Sequence, residues 1–102
     1  MNTKGVTMVR IYLTEGHGQI KEVLDYLHND SGVHGVTEIR AAAGFGNSGK
    51  MHETRLIDLS LDLPVVLEFF DEPSKVEEVI VYLKGMLKSG HIVHWHAQWS
   101  EH

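Results

Sequence analysis

The chain has 102 residues, 42% hydrophobic and 23% charged, with a formal net charge of −5 and no cysteine, so a single domain over residues 1–102 with one modest core is expected. The acidic balance excludes the basic stripe that a nucleic-acid binder needs, and the lack of cysteine excludes disulfides, thiolate metal sites and cysteine nucleophiles. No apolar run reaches the ~18 residues of a membrane span and MNTKGVTMVR has no apolar signal segment, so no membrane insertion is expected and the cytoplasm is the expected location.

Val6 to Leu13 alternates, with Val9, Ile11 and Leu13 pointing one way and Met8, Arg10 and Tyr12 the other; this is a strand of period two. After the turn TEGHG the period changes. Ile20, Val23, Leu24 and Leu27 lie at i, i+3, i+4 and i+7, one face of a helix over Gln19 to Asn29, which NDSG ends. Gly35 to Ala43 reads as a second strand, with Thr37, Ile39 and Ala41 on one side and Val36, Glu38 and Arg40 on the other. Leu56 to Leu61 reads as extended. Leu63 to Phe70 (LPVVLEFF) is the most apolar run in the chain; it is too short for a buried helix and is read as a central strand. A second helix starts at Asp71 to Pro73, with Ser74 and Glu77 read as a capping box. Val76, Val79, Ile80, Leu83 and Leu87 make its apolar stripe, and Ser89-Gly90 closes it. His91 to Trp99 is the last strand, with Val93, Trp95, Ala97 and Trp99 on one face and Ile92, His94, His96 and Gln98 on the other.

The order β-α-β-β-α-β is that of an α+β, ferredoxin-like sandwich: a four-stranded antiparallel sheet with two helices on one face. The other face is left without helices. Its expected occupants are Met8, Tyr12, Val36, Val66, Phe70 and Ile92, mixed with Arg10, Glu38, Arg40 and Glu68, and Arg10 and Glu68 become neighbours if the first and third strands pair. So much apolar surface is more than a solvated face carries, and self-association through it is expected.

The loop of about residues 43–58 contains two phosphate-binding patterns. Gly44 to Gly49 spells GxGxxG and Gly44 to Lys50 spells GxxxxGK, with Met51 where a P-loop needs a hydroxyl. Neither follows the first strand of a parallel domain, and MHETRLIDL after them has no amphipathic helical stripe, so an NTPase or Rossmann site is excluded. The segment is long for a hairpin connection, and long loops tend to carry function. Backbone N–H groups between its glycines, with Lys50, His52 and Arg55 nearby, suit an anion. His94 and His96, two apart on a strand, place their rings on one face ~7 Å apart; that is half of a metal site, needing a third ligand from His91, His52 or a symmetry mate. No nucleophile elbow or carboxylate pair stands out. Asp58, Asp62, Asp71 and Glu72 fall at strand ends and turns, where such residues are usually structural, and no enzymatic activity is expected.

Arg40-Ala-Ala-Ala-Gly44-Phe45-Gly46, then Met51-His52-Glu-Thr-Arg55-Leu, then Leu59-Ser60-Leu-Asp62-Leu63-Pro64-Val65-Val66 and Asp71, with the opening Arg10-Ile11-Tyr12-Leu13-Thr14-Glu15, resemble the PII-like domain family once grouped as DUF190. The likeness covers nearly the whole chain. It implies a homotrimeric signalling protein of ferredoxin-like subunits that binds an adenine nucleotide or another small anionic metabolite in clefts between subunits. It also implies action on a regulated protein, a membrane transporter or channel among the candidates, through the 43–58 loop. Carried over by position, Gly44, Phe45 and Gly46 form the base of that loop, and Lys50, His52 and Arg55 lie along it. The chain departs from PII proteins in having only Lys88-Ser89-Gly90 where they carry a basic phosphate loop, and His94 and His96 where they carry basic residues. Two other readings stay open: a metal-binding trimer resembling the CutA family, with His94 and His96 as ligands, and a small ferredoxin-like enzyme with its site on the helix-free face around Arg10 and Glu68.

Overall fold

The computed structural model describes residues 2–14, 19–44, 52–53, 63–88 and 90–101. Among them run β1 (Thr3–Thr14), α1 (Ile20–Asn29), β2 (Thr37–Arg40), β3 (Ala43–Gly44), β4 (His52–Glu53), β5 (Pro64–Asp71), α2 (Pro73–Met86) and β6 (His91–Ser100). β2, β5, β1 and β6 form an antiparallel sheet in that order, and β3 pairs with β4 as a separate ribbon. This is the expected ferredoxin-like βαββαβ sandwich. The Leu56–Leu61 reading lies outside the described residues.

The two apolar strands take the middle of the sheet because their alternation lets one face go dry. β5 alternates buried and half-buried residues without a break. Val65, Leu67 and Phe69 join Val9, Ile11 and Leu13 of β1 against Val23 and Leu27 of α1 and Val76, Val79, Ile80 and Leu83 of α2 in one core. Both helices therefore pack on the same face, as right-handed crossovers require. Each fully buried aliphatic side chain here contributes roughly 1.5–3 kcal/mol, so these twelve positions carry the fold. Asp71 ends β5 buried, yet fully used: Oδ2 accepts the His34 backbone N–H at 3.2 Å and faces His34 Nδ1 at 3.1 Å, while Oδ1 accepts the Glu72 N–H at 2.8 Å. It ties the link before β2 to the start of α2.

Several local expectations change. The capping box at Ser74 and Glu77 does not form. Pro73 takes the first helical turn, so the cap position falls on Glu72, which makes no side-chain capping bond. β2 is shorter than residues 35–43, and α1 starts one residue after Gln19. The edge strands also turn over relative to expectation. Ile92 pairs with Ile11, a core residue, and packs against the core with Val36. Glu38 and Arg40 pair with Leu67 and Val65 and so face the helix side. In their place Ile39, Val93, Trp95 and Trp99 join Met8, Arg10, Tyr12, Val66, Glu68 and Phe70 on the helix-free face. That face is more apolar than expected: Tyr12, Ile39, Val93, Trp95 and Trp99 are all exposed.

Candidate functional site

Three connections gather at one end of the sheet. β1 ends where β5 begins, Thr14 opposite Pro64, and β6 begins there too, His91 opposite Tyr12. β2 leaves at the same end, since Arg40 lies opposite Val65. Ala41 N–H donates to Pro64 O at 3.0 Å, carrying the ladder one step further. The chain then enters the β3–β4 ribbon, where Ala43 pairs with Glu53 and Gly44 with His52. The 43–58 loop, the arm, thus has a paired two-residue base, Ala43–Gly44 against His52–Glu53.

The α2–β6 link is pinned beside the start of α1. The Gln19 amide donates from Nε2 to Met86 O at 3.1 Å and to Glu22 Oε2 at 3.0 Å, and its Oε1 accepts the Lys88 N–H at 2.7 Å. One side chain so satisfies groups at the C-terminus of α2, where orphan carbonyls gather. Gly90 closes the link with φ +109°, and a Cβ there would lie 2.7 Å from Tyr12 O and 2.9 Å from Leu13 Cδ2. Only glycine fits both the left-handed backbone and the contact. Gln19 read from sequence as an ordinary helix start; its amide in that position was the signal available.

Gly44 and His52, then, are brought together as partners at the arm's base. Phe45, Gly46, Lys50 and Arg55 lie outside the described residues. His94 and His96 are elsewhere, on the outer edge strand opposite Val9 and Thr7, with the His96 ring over Gly5, 3.1 Å from where a Cβ would stand. Among the described residues no group of three or more His, Asp or Glu is placed to hold a metal ion. Arg10 and Glu68 pair on the helix-free face, Arg10 Nε to Glu68 Oε1 at 2.8 Å. The Glu68 acceptor, then Tyr12, holds the Arg10 guanidinium above its ordinary value. Among the described residues no helix is long and apolar enough to cross a membrane.

The family DUF190, described as Uncharacterized ACR, matches residues 6–99. A UPF0166 protein of Aquifex aeolicus (strain VF5) is 32% identical over 82 residues, covering 76% of this chain and 78% of that protein. In three dimensions the chain is similar to CPII of Thiomonas intermedia K12 bound to ADP and bicarbonate, with a TM-score of 0.73, 20% identity and coverage of 98% of this chain and 93% of CPII. CPII is described as a nitrogen regulatory PII-like protein, and a further structure holds ADP, AMP and bicarbonate. The GlnK–ATP complex of B. subtilis is also similar, with a TM-score of 0.59, 15% identity and coverage of 91% and 82%.

Proposed function

This chain belongs to the DUF190 family, and on that premise we propose that it is a non-catalytic, PII-like regulatory protein, a homotrimer that senses an adenine nucleotide or similar small anion and acts on a partner protein through the arm. The observation that carries this reading is the paired base of the arm, Ala43–Gly44 against His52–Glu53, standing at the end of the sheet where the α2–β6 link is clamped by Gln19. A ligand touching both would couple the arm to the ends of both helices. The fold is shared with proteins whose structures hold ADP, AMP, ATP and bicarbonate, which supports the ligand class. The exposed apolar helix-free face supports assembly with sister copies, since a contiguous patch of that kind on a small domain marks an interaction surface.

The mechanism is a population shift. The ligand must bind one state of the arm better than another, and the difference in affinity bounds how far it can move the equilibrium. The partner reads the arm and the ligand biases it. Lys50 and Arg55 supply positive charge to the segment in an acidic chain, and His52 sits at its base.

The test is a thermal-shift panel of ATP, ADP and AMP, each with and without bicarbonate, on the wild type and on Lys50→Ala and Arg55→Ala. The expected result is stabilisation of the wild type by at least one nucleotide, weakened in both variants while their ligand-free melting points stay unchanged. No shift with any nucleotide removes the ligand assignment.

A further inference from the structure

The link between α1 and β2 presents an imidazole that the regulatory reading leaves unused. The His34 side chain is 87% exposed, yet it is tied to the Asp71 side chain, which is only 5% exposed. Asp71 Oδ2 accepts the His34 backbone N–H at 3.2 Å and faces the ring Nδ1 at 3.1 Å. With Oδ1 accepting the Glu72 N–H at 2.8 Å, this carboxylate is an acceptor throughout. Nδ1 therefore carries the ring proton and the lone pair falls on Nε2, which has no protein partner among the described residues. A buried carboxylate that fixes the tautomer and aims the basic nitrogen outward is how an imidazole is prepared for attack.

The surroundings suit an incoming anion. Asp25 is paired with Lys21 at 3.3 Å and Glu72 with Lys4 at 2.7 Å, and Asp71 is spent on His34. Lys75 has no ion-pair partner among the described residues. Its Nζ rests against the bare backbone of Gly32, two positions before His34, 2.8 Å from where a Cβ there would stand. His34 also shares a recess with Leu24, Leu27 and His28 of α1. That recess is on the helix side of the sheet, so a sister subunit seated on the helix-free face does not cover it.

We propose that His34 is a phosphoryl acceptor, modified at Nε2 by an N-phosphoryl donor such as a phosphoramidate. The Nε2 lone pair attacks phosphorus, the P–Nε2 bond forms as the donor's P–N bond breaks, and the donor nitrogen leaves with the bonding pair, as ammonia from phosphoramidate itself. The ring becomes cationic, its Nδ1–H stays on Asp71, whose charge offsets it, and Lys75 supplies an ammonium for the phosphoryl oxygens. Asp71 touches neither phosphorus nor donor and is a positioning residue. No residue of the arm takes part, so this stands apart from nucleotide binding.

The native full-length assembly is incubated with potassium phosphoramidate at neutral pH. Tandem mass spectrometry follows each of the eight histidines, and phosphorus NMR reports which ring nitrogen is labelled. His34 should label first, at Nε2, roughly tenfold faster than any other histidine, as a hydrogen bond to a charged group supplies. His34→Gln should remove the fast site and leave the other histidines unchanged. Asp71→Asn should slow His34 about tenfold and divide the label between Nδ1 and Nε2, a change of position that a merely structural role for Asp71 does not produce. Selectivity and ring position are read on the wild type, so they decide even where Asp71→Asn does not fold. The proposal is overturned if wild-type His34 labels no faster than the exposed His94 and His96, if its label sits on Nδ1, or if a folded Asp71→Asn labels as the wild type does.

Discussion

Replacing Trp95 by alanine strips a large ring from the helix-free face without touching the core. Trp95 is 41% exposed, and its ring centroid lies 5.7 Å from the Arg10 guanidinium carbon. A large aromatic presents up to roughly 200–250 Å², so about 80–100 Å² of Trp95 remains for a sister subunit to cover. At ~25 cal/mol per Å² this is about 2 kcal/mol per subunit, or roughly thirtyfold in the association constant at each subunit boundary. The monomer should stay folded, because Trp95 lies outside the core cluster and its covered part packs on the sheet surface beside Arg10. Sedimentation equilibrium across a hundredfold range of concentration reads the effect. The wild type should run at three times the 11.5 kDa chain, that is about 34.5 kDa, and the variant should dissociate at the lower concentrations with an unchanged far-ultraviolet spectrum. A wild type that sediments as a monomer, or a variant that holds together as well as the wild type, refutes the assignment of this face as the contact surface.

Gly90→Ala should lower stability by roughly 2 kcal/mol or more, since the added Cβ faces both a positive φ and a backbone oxygen; chemical denaturation measures it, and an unchanged midpoint would refute the close approach. Gln19→Ala removes two bonds between the start of α1 and the end of α2 and should cost about 1–2 kcal/mol, with faster hydrogen exchange at the Lys88 amide as its specific signature. Tyr26 stacks on Tyr82 at 4.0 Å, and burial first, then Tyr82, pushes its hydroxyl above the usual 10.0. Because the folded value exceeds the unfolded one, the folded chain keeps this proton longer. The resulting stability is whole below pH 10 and is lost as pH rises through the folded value. Tyr26→Phe should flatten that part of the alkaline decline, compared by urea midpoints at about pH 9 and about pH 11.

The elements were legible because their periods differ. Ile20, Val23, Leu24 and Leu27 can share a face only on a helix, and Val9, Ile11 and Leu13 only on a strand. The Arg10–Glu68 pair followed from strand order alone. The facing of β6 did not, because its apolar-rich side, Val93, Trp95 and Trp99, is the one left without helices, while Ile92 meets the core from a side it shares with His94, His96 and Gln98; the register against Ile11 decides. The arm's base was hidden for another reason. Two residues on each side, Ala43-Gly44 and His52-Glu53, are too few to show any period. The Lys4–Glu72 ion pair and the Phe70–Trp99 ring contact join three separate segments, and no local pattern announces such a meeting.

The sheet order also constrains how the chain comes together during synthesis. β1 is made first but sits in the interior, and its two neighbours, residues 64–71 and 91–100, arrive late. Until they emerge the opening strand has both edges unsatisfied, and the pairings that rescue it, such as Arg10 with Glu68, close loops of 58 residues. Such non-local pairing is slow. A chain released before β6, residues 91–100, is made would expose one edge of β1 from Thr3 to Tyr12, a ready template for joining the wrong molecule.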